Sequence, residues 1–443
     1  MINNKKKIVI LGAGFGGLYT YLGLRKLYAN NEGIEVVLVN INDYFLFVPM
    51  LHEVATGGLQ SSSIVQSLRS ISRTSNFRFI QGKAVSVDMD KQVIDLECGY
   101  DDKKKHERQL SYDYLVMSLG SVTNFFDIPG VKENALTLRD VAGAQKIRDT
   151  LIKQFELASS VLGLRDSTVL NEFCLGSYQD SQSLQGATLS LVDNKEIERL
   201  LRFVIVGGGA TGVELAGEMA DLCSHGLKKE FPNLYDKVQI ILIHSADRLV
   251  DKAHQWFARK VSDILRNKMK VVVMLNEWVS GVTKYGVSLD SKEIEAGKVI
   301  WVAGVKATPI KIKADKEIEY EQRTERIKVN NYLQIPTYGN VMVVGDQAWV
   351  HDKKIGQPYP MRAQFAVREG YVASRNILHM IDKEPLEEFF WMDQGFILSL
   401  GKGVALIEIR GYRFSGLFAW WMYRTIYLFK LIAVKIKIRT IIK

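Results

Sequence analysis

Two short glycine-rich motifs, far apart in the chain, constrain the fold more than any other feature of the sequence. The first, GAGFGG at residues 12–17, follows the apolar run IVIL, and the second, GGGATG at residues 207–212, follows FVIV. An apolar strand, a glycine turn and a helix start, in this order, are typical of a dinucleotide-binding βαβ unit. Two copies in matched contexts predict two dinucleotide sites in one chain, with electrons passing between the bound molecules.

Each glycine of these motifs has a physical role. The first two glycines make the tight turn and let a pyrophosphate approach the backbone, and the third lets the helix pack on the strand. The helix start then offers free N–H groups and a partial positive charge to the phosphates. The glycines in these three roles are Gly12, Gly14 and Gly17 in the first motif and Gly207, Gly209 and Gly212 in the second. A chance occurrence in ordinary strand–helix turns is the alternative, and the second copy disfavours it.

The rest of the pattern predicts a doubly wound α/β fold of two to three domains, as the length of 443 residues allows. Strands are expected at residues 8–11, 34–39, 114–117, 203–206, 238–243, 299–304 and 341–344. Helices are expected at 15–29, 141–159, 211–224 and 361–380. Residues 160–200 lose this periodicity, which predicts an inserted loop before the second βαβ unit.

Cysteine and histidine usage excludes several functional classes. The three cysteines, Cys98, Cys174 and Cys223, are far apart and form no CxxC pair, which argues against a disulfide framework or a cysteine metal site. Enzymes that work through paired redox cysteines are disfavoured for the same reason. The histidines show no ligand spacing, so no metal site is predicted.

Three polar residues stand at the ends of predicted strands, where α/β sheets bind ligands. A carboxylate usually ends the second strand of such units and binds the ribose, but Asn40 and His244 take that place here. Asn40 can still accept a ribose hydrogen bond. His244 does not repel a 2′-phosphate, which favours NADPH as well as NADH, or it is only a tolerated surface residue. Asp346 follows an apolar strand and is expected to bind a ribityl chain, with a helix N-cap as the alternative.

Positive charge is concentrated at the C-terminal end of the chain. The net charge is +9, and residues 401–443 hold nine cations and one anion, so the other 400 residues are nearly neutral. This distribution argues against nucleic acid as a partner and favours an anionic lipid surface. Residues 414–443 combine aromatic side chains with cations, and their longest uncharged run is about half of the ~20 residues that span a bilayer. We therefore expect a helix lying in the headgroup region. The alternative is a terminal helix packed on the body or on the partner of a homodimer.

Taken together, these motifs resemble the type II NAD(P)H:quinone oxidoreductases, which are single-chain flavoproteins that do not pump protons. The resemblance covers nearly the whole chain apart from residues 160–200. It rests on GAGFGG, on DYLV with LGS at 113–121, on GGGATGVELAGE at 207–218, on WVAGV at 301–305 and on VGD at 344–346. NDYFLFVP and HEVATG, at 42–49 and 52–57, are similar to the family's segment beside the flavin.

The resemblance implies an FAD site in the first unit and an NAD(P)H site in the second. The residues implied to contact FAD are Gly12, Gly14, Phe15, Gly16, Gly17, Asn40, Val85, Gly120, Gly345 and Asp346. Those implied for the nicotinamide nucleotide are Gly207, Gly209, Gly212, His244 and Gly304. Residues 1–140 and 305–385 would form the FAD-binding domain, 141–304 the NAD(P)H-binding domain and 386–443 a membrane-anchoring region.

The resemblance also gives candidate catalytic residues. Glu214 would lie near the nicotinamide and tune its face or relay a proton; the alternative is a carboxylate stabilised by the start of its helix. Gln364 matches the first glutamine of the family's AQxAxQ pattern at the quinone pocket, and Arg368 stands in place of the second.

The implied activity is FAD-dependent transfer of a hydride from NAD(P)H to flavin and of two electrons to a membrane quinone. The C-terminal segments 396–401 and 414–417 are similar to the cyanobacterial and plastid branch that reduces demethylphylloquinone and related prenylquinones. A peripheral (monotopic) membrane protein on the cytoplasmic or stromal side is then expected. The alternative is a soluble reductase that passes electrons to a ferredoxin- or rubredoxin-like protein.

Overall fold

The computed structural model describes residues 5–28, 33–72, 77–99, 106–166, 194–352, 356–391 and 395–430. The described chain divides into two compact units. Unit 1 consists of residues 1–47, 65–122 and 305–393, and unit 2 of residues 48–64, 123–304 and 394–443. The backbone crosses between the units several times, so each unit is assembled from three separate stretches of sequence.

Unit 1 is built on a six-stranded sheet. Its strands, in spatial order, are Gln334–Ile335, Tyr338–Val343, Tyr114–Met117, Lys6–Leu11, Ile34–Asn40 and Phe77–Gln81. All neighbours are parallel except the first pair. Strand Lys6–Leu11 lies between two parallel neighbours, with Ile8 in register with both Val36 and Tyr114. Ile8 and its apolar neighbours are fully buried, as a strand covered on both faces requires.

Two long helices of unit 1, Phe15–Tyr28 and Ala363–Asp382, pack closely against each other. A Cβ atom at Gly370 would lie only 2.5 Å from the carbonyl oxygen of Gly16, so this crossing depends on glycine. The unit also has the short helix Leu68–Ile71. A second sheet consists of strands Lys311–Lys313, Lys83–Asp88, Val93–Cys98 and His106–Ser111. Unit 1 also contains the two-stranded pairs Tyr44–Leu46 with Val65–Ser67, Ile327–Lys328 with Ala348–Trp349, and His351–Asp352 with Gln357–Pro358.

Unit 2 is built on a five-stranded parallel sheet. Its strands, in spatial order, are Leu136–Thr137, Lys298–Trp301, Arg202–Val206, Gln239–His244 and Val272–Leu275. A three-stranded antiparallel sheet consists of Val279–Thr283, Gly286–Leu289 and Glu293–Glu295. Its α-helices include Leu51–Ala55, Val131–Asn134, Val141–Asp166, Ala210–Asp221, Leu227–Glu230, Gln255–Asp263 and Leu417–Lys430.

The C-terminal part of unit 2 is a small sheet covered by one helix. Strands Phe396–Ser399, Ala405–Ile409 and Tyr412–Gly416 form an antiparallel sheet, and helix Leu417–Lys430, called here the tail helix, packs on it. Ala419 and Tyr423 of the helix are fully buried against the sheet. Within residues 414–443, where a helix was expected, the helix begins at Leu417, and residues 431–443 lie outside the described part of the chain.

The predicted α/β fold with two Rossmann-like sheets is confirmed, and one local expectation was wrong. Helix Val141–Asp166 continues past residue 160, where the inserted loop was predicted to begin, and residues 194–200 are again helical. The helix buries Leu151, Phe155 and Ala158 on one side and continues beyond them to Asp166, through residues of weak helical pattern. Residues 167–193 lie outside the described residues.

Candidate dinucleotide sites and a buried acid cluster

The first glycine turn joins strand Lys6–Leu11 to helix Phe15–Tyr28 in unit 1. Gly12 has φ +93°, and a Cβ atom there would clash with the carbonyl oxygen of Ser118. A Cβ atom at Gly17 would clash with the carbonyl oxygen of Gly12, so the helix start can approach the turn only as glycine. A Cβ atom at Gly14 would meet no atom within 4 Å. The turn therefore has open space at its middle glycine, where a dinucleotide phosphate fits.

Asn40 fixes this turn to the neighbouring strand. Its Oδ1 accepts the N–H of Ala13 at 2.9 Å, and its Nδ2 donates to the carbonyl oxygen of Asn42 at 2.9 Å. The backbone N–H of Gly12 donates to the carbonyl of Val39, at the same strand end. The amide thus holds the turn, and its predicted ribose contact stays a prediction.

Gly120 and Asp346 lie just beyond the carboxyl ends of two paired strands, Tyr114–Met117 and Tyr338–Val343. Gly120 has φ +73° and open space around a Cβ position. Asp346 accepts a hydrogen bond from the hydroxyl of Ser121 at 2.5 Å. The structure thus brings these two predicted residues to one edge of the unit 1 sheet, next to the first glycine turn, which ends the adjoining strand.

Gly345, with φ +71°, is held by a buried acid that the sequence analysis missed. Its N–H donates to Oε2 of Glu369 at 2.5 Å. Glu369 is buried on helix Ala363–Asp382, and burial raises its pKa to about 8. This carboxyl fixes the turn that carries Asp346.

The other residues predicted around FAD have diverse environments. The ring of Phe15 packs edge-on against Phe45 and Phe47, with centroids 5.1 and 5.7 Å away. A Cβ atom at Gly16 would lie 2.9 Å from a methyl group of Val344, so this glycine serves close packing. Val85 lies on strand Lys83–Asp88, in the four-stranded sheet, and is 45% exposed. The structure thus places Val85 in a different sheet from the glycine turn.

The second glycine turn, in unit 2, repeats the first. Gly207 has φ +119°, and a Cβ atom there would lie 2.7 Å from the backbone nitrogen of Ala303. A Cβ atom at Gly212 would clash with the carbonyl oxygen of Gly207, whereas one at Gly209 would meet nothing within 4 Å. The same combination of two obligatory glycines and one open glycine recurs, which again fits a dinucleotide phosphate.

His244 ties the second turn to its neighbouring strand. Its Nδ1 accepts the backbone N–H of Gly208 at 3.2 Å, which places the ring proton on Nε2. That buried Nε2 has no hydrogen-bond partner among the described residues. Burial lowers the pKa of His244, so the ring is neutral at pH 7. The ring therefore carries an uncharged N–H donor that no described residue accepts.

Gly304 lies just past strand Lys298–Trp301, the neighbour of the strand that leads into the second turn. It has φ +76°, and a Cβ atom there would lie 2.5 Å from the ring of Phe126. The indole N–H of Trp301 donates to the carbonyl oxygen of Asn124 at 2.9 Å. This turn is thus fixed by residues 124–126 of the same unit.

A group of polar and ionisable side chains, most of them buried, surrounds two carboxyl groups on the helix that begins at the second glycine turn. This buried acid cluster consists of His52, Glu53, Glu214, Glu218, Ser399, Tyr423 and Arg424, all in unit 2. Glu214 and Glu218 are one helical turn apart on helix Ala210–Asp221. Oε2 of Glu214 lies 3.7 Å from Nδ1 of His52. The backbone N–H of Ser399 donates to Glu214 at 3.4 Å, and the Ser399 hydroxyl to Glu218 at 3.4 Å.

The tail helix supplies the partners of Glu53. The hydroxyl of Tyr423 donates to Oε1 of Glu53 at 2.8 Å, and Nη1 of Arg424 lies 2.7 Å from Oε2. Glu53 is 1% exposed and the side chain of Arg424 is 32% exposed, so a buried carboxylate is paired with a partly exposed guanidinium. One carboxylate of the cluster therefore has a cation against it.

The environment shifts the pKa values of the cluster strongly. Burial raises the pKa of Glu218 to about 8 and that of Glu214 well above its ordinary value, and the charge of Glu53 raises both further. Burial also raises the pKa of Glu53, but Arg424 and Tyr423 lower it. Burial lowers the pKa of His52 to about 3, so its imidazole is neutral. At pH 7 Glu218 is therefore mostly protonated and the imidazole of His52 is neutral, while burial favours the protonated form of Glu214 and Arg424 favours the ionised form of Glu53.

Three side chains of the cluster are close enough to suggest a cation site. His52, Glu53 and Glu218 each offer one ligand atom within 4.8 Å of the others. The guanidinium of Arg424 already lies against Glu53, however, and supplies a positive charge there. The arrangement is explained without a metal ion.

Gln364, the second candidate catalytic residue, lies in the first turn of helix Ala363–Asp382 in unit 1 and is half-buried. Beside it, the ring of Phe365 packs against Trp391, with centroids 4.2 Å apart, and against Tyr359. Arg368, which departs from the family pattern, is exposed. Glu214 and Gln364 belong to different units.

The tail helix has two different sides. Ala419 and Tyr423 are buried, whereas its exposed apolar side chains are Leu417, Phe418, Trp421, Leu428 and Phe429. None of the helices within the described residues combines the length and the apolar content that crossing a bilayer requires.

The sequence analysis missed most of the buried acid cluster. Glu214 and Glu218 are four residues apart in GVELAGE, and this spacing places two acids on one side of a helix that is otherwise apolar. That signal was available. No such signal marks Tyr423 and Arg424, because the tail is rich in aromatic and basic residues and its sequence does not show which of them face inward.

Comparison with known proteins identifies the family. The family model of the pyridine nucleotide-disulphide oxidoreductases matches residues 6–370. A probable NADH dehydrogenase of Dictyostelium discoideum is 30% identical over 439 residues, which cover 98% of this chain and 87% of that protein. The type II NADH:quinone oxidoreductase of Haemophilus influenzae is 30% identical over 412 residues, covering 90% of this chain and 86% of that protein. Further relatives are longer, and the chain spans 56% to 60% of their length.

A solved structure has the same fold. The structure of NDH2 from Plasmodium falciparum in complex with NADH superposes with a TM-score of 0.81 at 21% identity, covering 97% of this chain and 95% of that one. The predicted oxidoreductase class and the cofactor pair, FAD and NAD(P)H, are confirmed at the level of the family. This chain belongs to the pyridine nucleotide-disulphide oxidoreductases and, within them, to the type II NADH:quinone oxidoreductases.

Proposed function

We propose that this chain oxidises NAD(P)H and, through FAD, reduces a quinone held in a membrane, without pumping protons. The observation that carries this proposal is the pair of glycine turns. Each has two positions that only glycine can occupy and one, Gly14 or Gly209, that opens onto free space. Bound FAD supplies the chemistry, because it takes up a hydride from the nicotinamide and passes two electrons to an acceptor.

In this proposal unit 1 holds FAD and unit 2 the nicotinamide nucleotide. The first turn binds the FAD pyrophosphate at the start of helix Phe15–Tyr28, and Asp346 accepts hydrogen bonds from the ribityl hydroxyls. Asp346 already accepts one hydroxyl donor, Ser121, which supports this role. Gly209, at the start of helix Ala210–Asp221, binds the nucleotide pyrophosphate.

Both NADH and NADPH are proposed as donors. The buried Nε2–H of His244 can donate to a ribose 2′-hydroxyl or to a 2′-phosphate, since both accept hydrogen bonds. A carboxylate at this position would accept from the hydroxyl and repel the phosphate. The neutral ring gives NADPH no charge–charge attraction, so comparable use of the two donors is expected.

The acceptor is proposed to be a prenylated naphthoquinone or benzoquinone that Gln364 helps to bind. The half-buried amide of Gln364 can donate to a quinone carbonyl, and the packed rings of Phe365 and Trp391 lie beside it. The assignment to the demethylphylloquinone branch stays a prediction. Steady-state rates with a panel of benzoquinones and naphthoquinones test it, and a preference for benzoquinones would contradict it.

The tail helix is proposed to seat the enzyme on an anionic membrane surface. Its exposed apolar side chains, among them Phe418 and Trp421, suit the acyl–headgroup boundary, and the tail carries most of the chain's net positive charge. Sedimentation with vesicles tests this. Binding to phosphatidylglycerol vesicles should exceed binding to phosphatidylcholine vesicles and weaken in the double variant Phe418→Ser/Trp421→Ser, while Tyr285→Ser, at an exposed ring elsewhere in unit 2, serves as the control.

Anaerobic mixing tests the proposed reaction as a whole. Purified protein should be yellow, be bleached by NADH or NADPH, and be recoloured by ubiquinone in liposomes. Bleaching without recolouring by any quinone, together with rapid reduction of added ferredoxin or rubredoxin, would favour the soluble reductase instead. Colourless protein that takes up no added FAD would contradict both.

A further inference from the structure

The two turns of unit 1 that are proposed to bind FAD touch each other. A Cβ atom at Gly16, in the first glycine motif, would lie 2.9 Å from a methyl group of Val344 and 3.5 Å from the backbone nitrogen of Gly345. Gly16 lies at the start of helix Phe15–Tyr28, and Gly345 directly precedes Asp346. A charge placed beneath this contact therefore acts on both parts of the proposed FAD site.

The carboxyl group of Glu369 lies beneath this contact. Glu369 is 3% exposed, and its Oε2 accepts the N–H of Gly345 at 2.5 Å. The next residue of its helix, Gly370, packs on the carbonyl oxygen of Gly16, where a Cβ atom would lie 2.5 Å away. The side chain thus supports the turn of Asp346, while its own helix supports the first glycine turn. Hydride transfer needs no acid at this point, so the burial of a carboxyl group here requires another explanation.

Ionisable groups surround Glu369 on several elements of unit 1. Burial is the largest influence on its pKa, and together with the charge of Asp346 it raises that pKa to about 8, while Arg326 lowers it. The elements packed around the carboxyl group also carry Tyr359, which precedes the helix, the exposed Arg368 on the helix itself, and Arg25 and Lys26, which lie in the last turn of helix Phe15–Tyr28, away from the crossing at Gly16. The neutral form of Glu369 is therefore favoured at pH 7.

The cation near Glu369 is held by neutral groups. Arg326 is 6% exposed, and its guanidinium stacks on the ring of Trp349, 4.2 Å from the centroid. Its Nε donates to the hydroxyl of Thr324 at 3.2 Å, and its Nη1 donates to the carbonyl oxygens of Ala348 and Tyr359 at 3.3 and 3.0 Å. These contacts fix the positive charge in place. Arg326 thus influences Glu369 through its charge, and a substitution there can shift the titration of Glu369 without changing the carboxyl group itself.

We propose that Glu369 is a positioning residue that links FAD binding to proton uptake: FAD binds the protein whose Glu369 is protonated, and a Glu369 that was ionised beforehand takes one proton from water as the cofactor binds. The inference rests on the proposed function, since it assumes FAD in unit 1. The pyrophosphate would bring negative charge to the start of helix Phe15–Tyr28, and the bound cofactor would exclude water from the turn at Gly345. Both changes disfavour a carboxylate at Glu369. The step forms one O–H bond and changes no oxidation state.

The pH dependence of FAD affinity tests the inference. The full chain, freed of flavin by dialysis against potassium bromide, is titrated with FAD between pH 6.5 and 9.5, and binding is followed by flavin fluorescence. In the parent, the Kd should be level near pH 7 and rise by up to about tenfold above pH 8, which corresponds to an increase of about one unit in the pKa of Glu369 when FAD binds. Glu369→Gln stays neutral at every pH, so it should lack this rise.

Substitutions of the neighbouring cation and a matched control sharpen the test. Arg326→Gln removes the charge that lowers the pKa of Glu369, so the rise in Kd should begin at higher pH than in the parent. Arg326→Lys keeps the charge and should begin its rise close to the pH of the parent; this pair carries the test if Glu369→Gln does not fold. Glu384→Gln makes the same change at an exposed side chain just after the same helix and should keep the pH profile of the parent.

A second readout counts the proton directly. Calorimetric titration with FAD at pH 8.5, in buffers of different ionisation enthalpy, should show uptake of about half a proton per FAD in the parent and none in Glu369→Gln. Loss of FAD from the diluted holoenzyme, compared at pH 7 and 9.5, gives the same comparison without removing the flavin first.

The outcomes separate this inference from the proposed function. An equal pH profile and an equal proton count in the parent and in Glu369→Gln would overturn the inference and leave the proposed function intact. Protein that binds FAD with the expected pH profile, but whose flavin NADH does not bleach or no quinone recolours, would instead contradict the proposed function.

Discussion

The two glycine turns are built alike, but different side chains hold them. In both, the strand-end side chain accepts the backbone N–H that follows the first glycine: Asn40 accepts from Ala13, and His244 from Gly208. Asn40 also uses its N–H group, on Asn42, whereas the Nε2–H of His244 has no partner among the described residues. The first turn is therefore complete in itself, and the second keeps a donor for a ligand.

This difference suits two kinds of ligand. A cofactor that stays bound can rely on a turn already closed by the protein, whereas a substrate that comes and goes benefits from a donor that is satisfied only when it binds. A buried donor left unsatisfied costs about 1–3 kcal/mol, and binding recovers that energy. The comparison thus agrees with FAD in unit 1 and NAD(P)H in unit 2.

The largest expected effects come from the two glycines that pack against their own turns. Gly17→Ala and Gly212→Ala place a methyl group onto a carbonyl oxygen, of Gly12 and Gly207 respectively, and should destabilise the protein by about 1–3 kcal/mol or more. Gly14→Ala and Gly209→Ala meet open space and should leave the melting temperature of the ligand-free protein unchanged while weakening binding of FAD and NADH respectively. Thermal melts and titrations measure this. Equal melting temperatures for Gly17→Ala and Gly14→Ala would contradict the different roles assigned to these glycines, close packing for Gly17 and phosphate binding for Gly14.

Each unit also buries a carboxyl group near its turn, Glu369 in unit 1 and Glu218 in unit 2, and burial raises both pKa values to about 8. A raised carboxyl pKa means that the folded protein holds a proton that the unfolded chain releases above about pH 4.5, so stability falls from there up to pH 8. The variants Glu369→Gln and Glu218→Gln each lack the titrating carboxyl group, so they should not show its contribution to the fall in stability between pH 4.5 and 8. Each should gain stability relative to the parent as the pH rises from 4.5 to 8, with no such gain below pH 4. Denaturant unfolding at pH 4, 6 and 8 measures the difference, and a gain that does not vary with pH would contradict the assigned shifts.

A smaller effect is expected at the second turn, where one substitution should change only the preference between NADH and NADPH. His244→Glu replaces an uncharged donor with a carboxylate that repels a 2′-phosphate, so kcat/KM for NADPH should fall about tenfold relative to NADH, or about 1.4 kcal/mol. His244→Gln keeps a neutral side chain with a donor and should largely preserve the ratio. If His244→Glu and His244→Gln both keep the parent's ratio of kcat/KM for NADPH to that for NADH, residue 244 does not distinguish a 2′-phosphate from a 2′-hydroxyl.

The smallest effect is expected at the first turn. Asn40→Ala removes the acceptor of the Ala13 N–H and should cost about 1 kcal/mol in stability, with a modest loss of FAD affinity. Asn40→Asp keeps the acceptor and should retain most of the stability and most of the FAD affinity. A larger loss of FAD in Asn40→Asp than in Asn40→Ala would show that the charge at this strand end matters more than the hydrogen bond.

The sequence predicts the parts of this fold that are local. Apolar strands such as Ile8–Leu11 and the turns that follow them are encoded within about ten residues, and the structure places them as expected. The end of helix Val141–Asp166 was missed because the helix continues through residues whose sequence has no clear helical period.

The location of a candidate site residue was predictable where its position at the end of a strand places it beside the glycine turn, as for Asn40 and His244. Glu369 was not found, because its partner Gly345 is on another element and the sequence gives no sign of a buried acid there. Arg424 was counted as part of a basic surface, yet it pairs with Glu53, which lies in a stretch with no apparent link to the tail. Such pairings depend on tertiary contacts that no motif records.

The two-sided tail helix has a practical consequence for preparing this protein. Removing it to gain solubility would also strip a buried carboxyl group of its guanidinium and its phenol, so a shortened chain would be a chemically altered molecule. Crystallographers and screeners who want a detergent-free sample would do better to exchange Phe418 and Trp421 for hydrophilic residues and keep the helix in place.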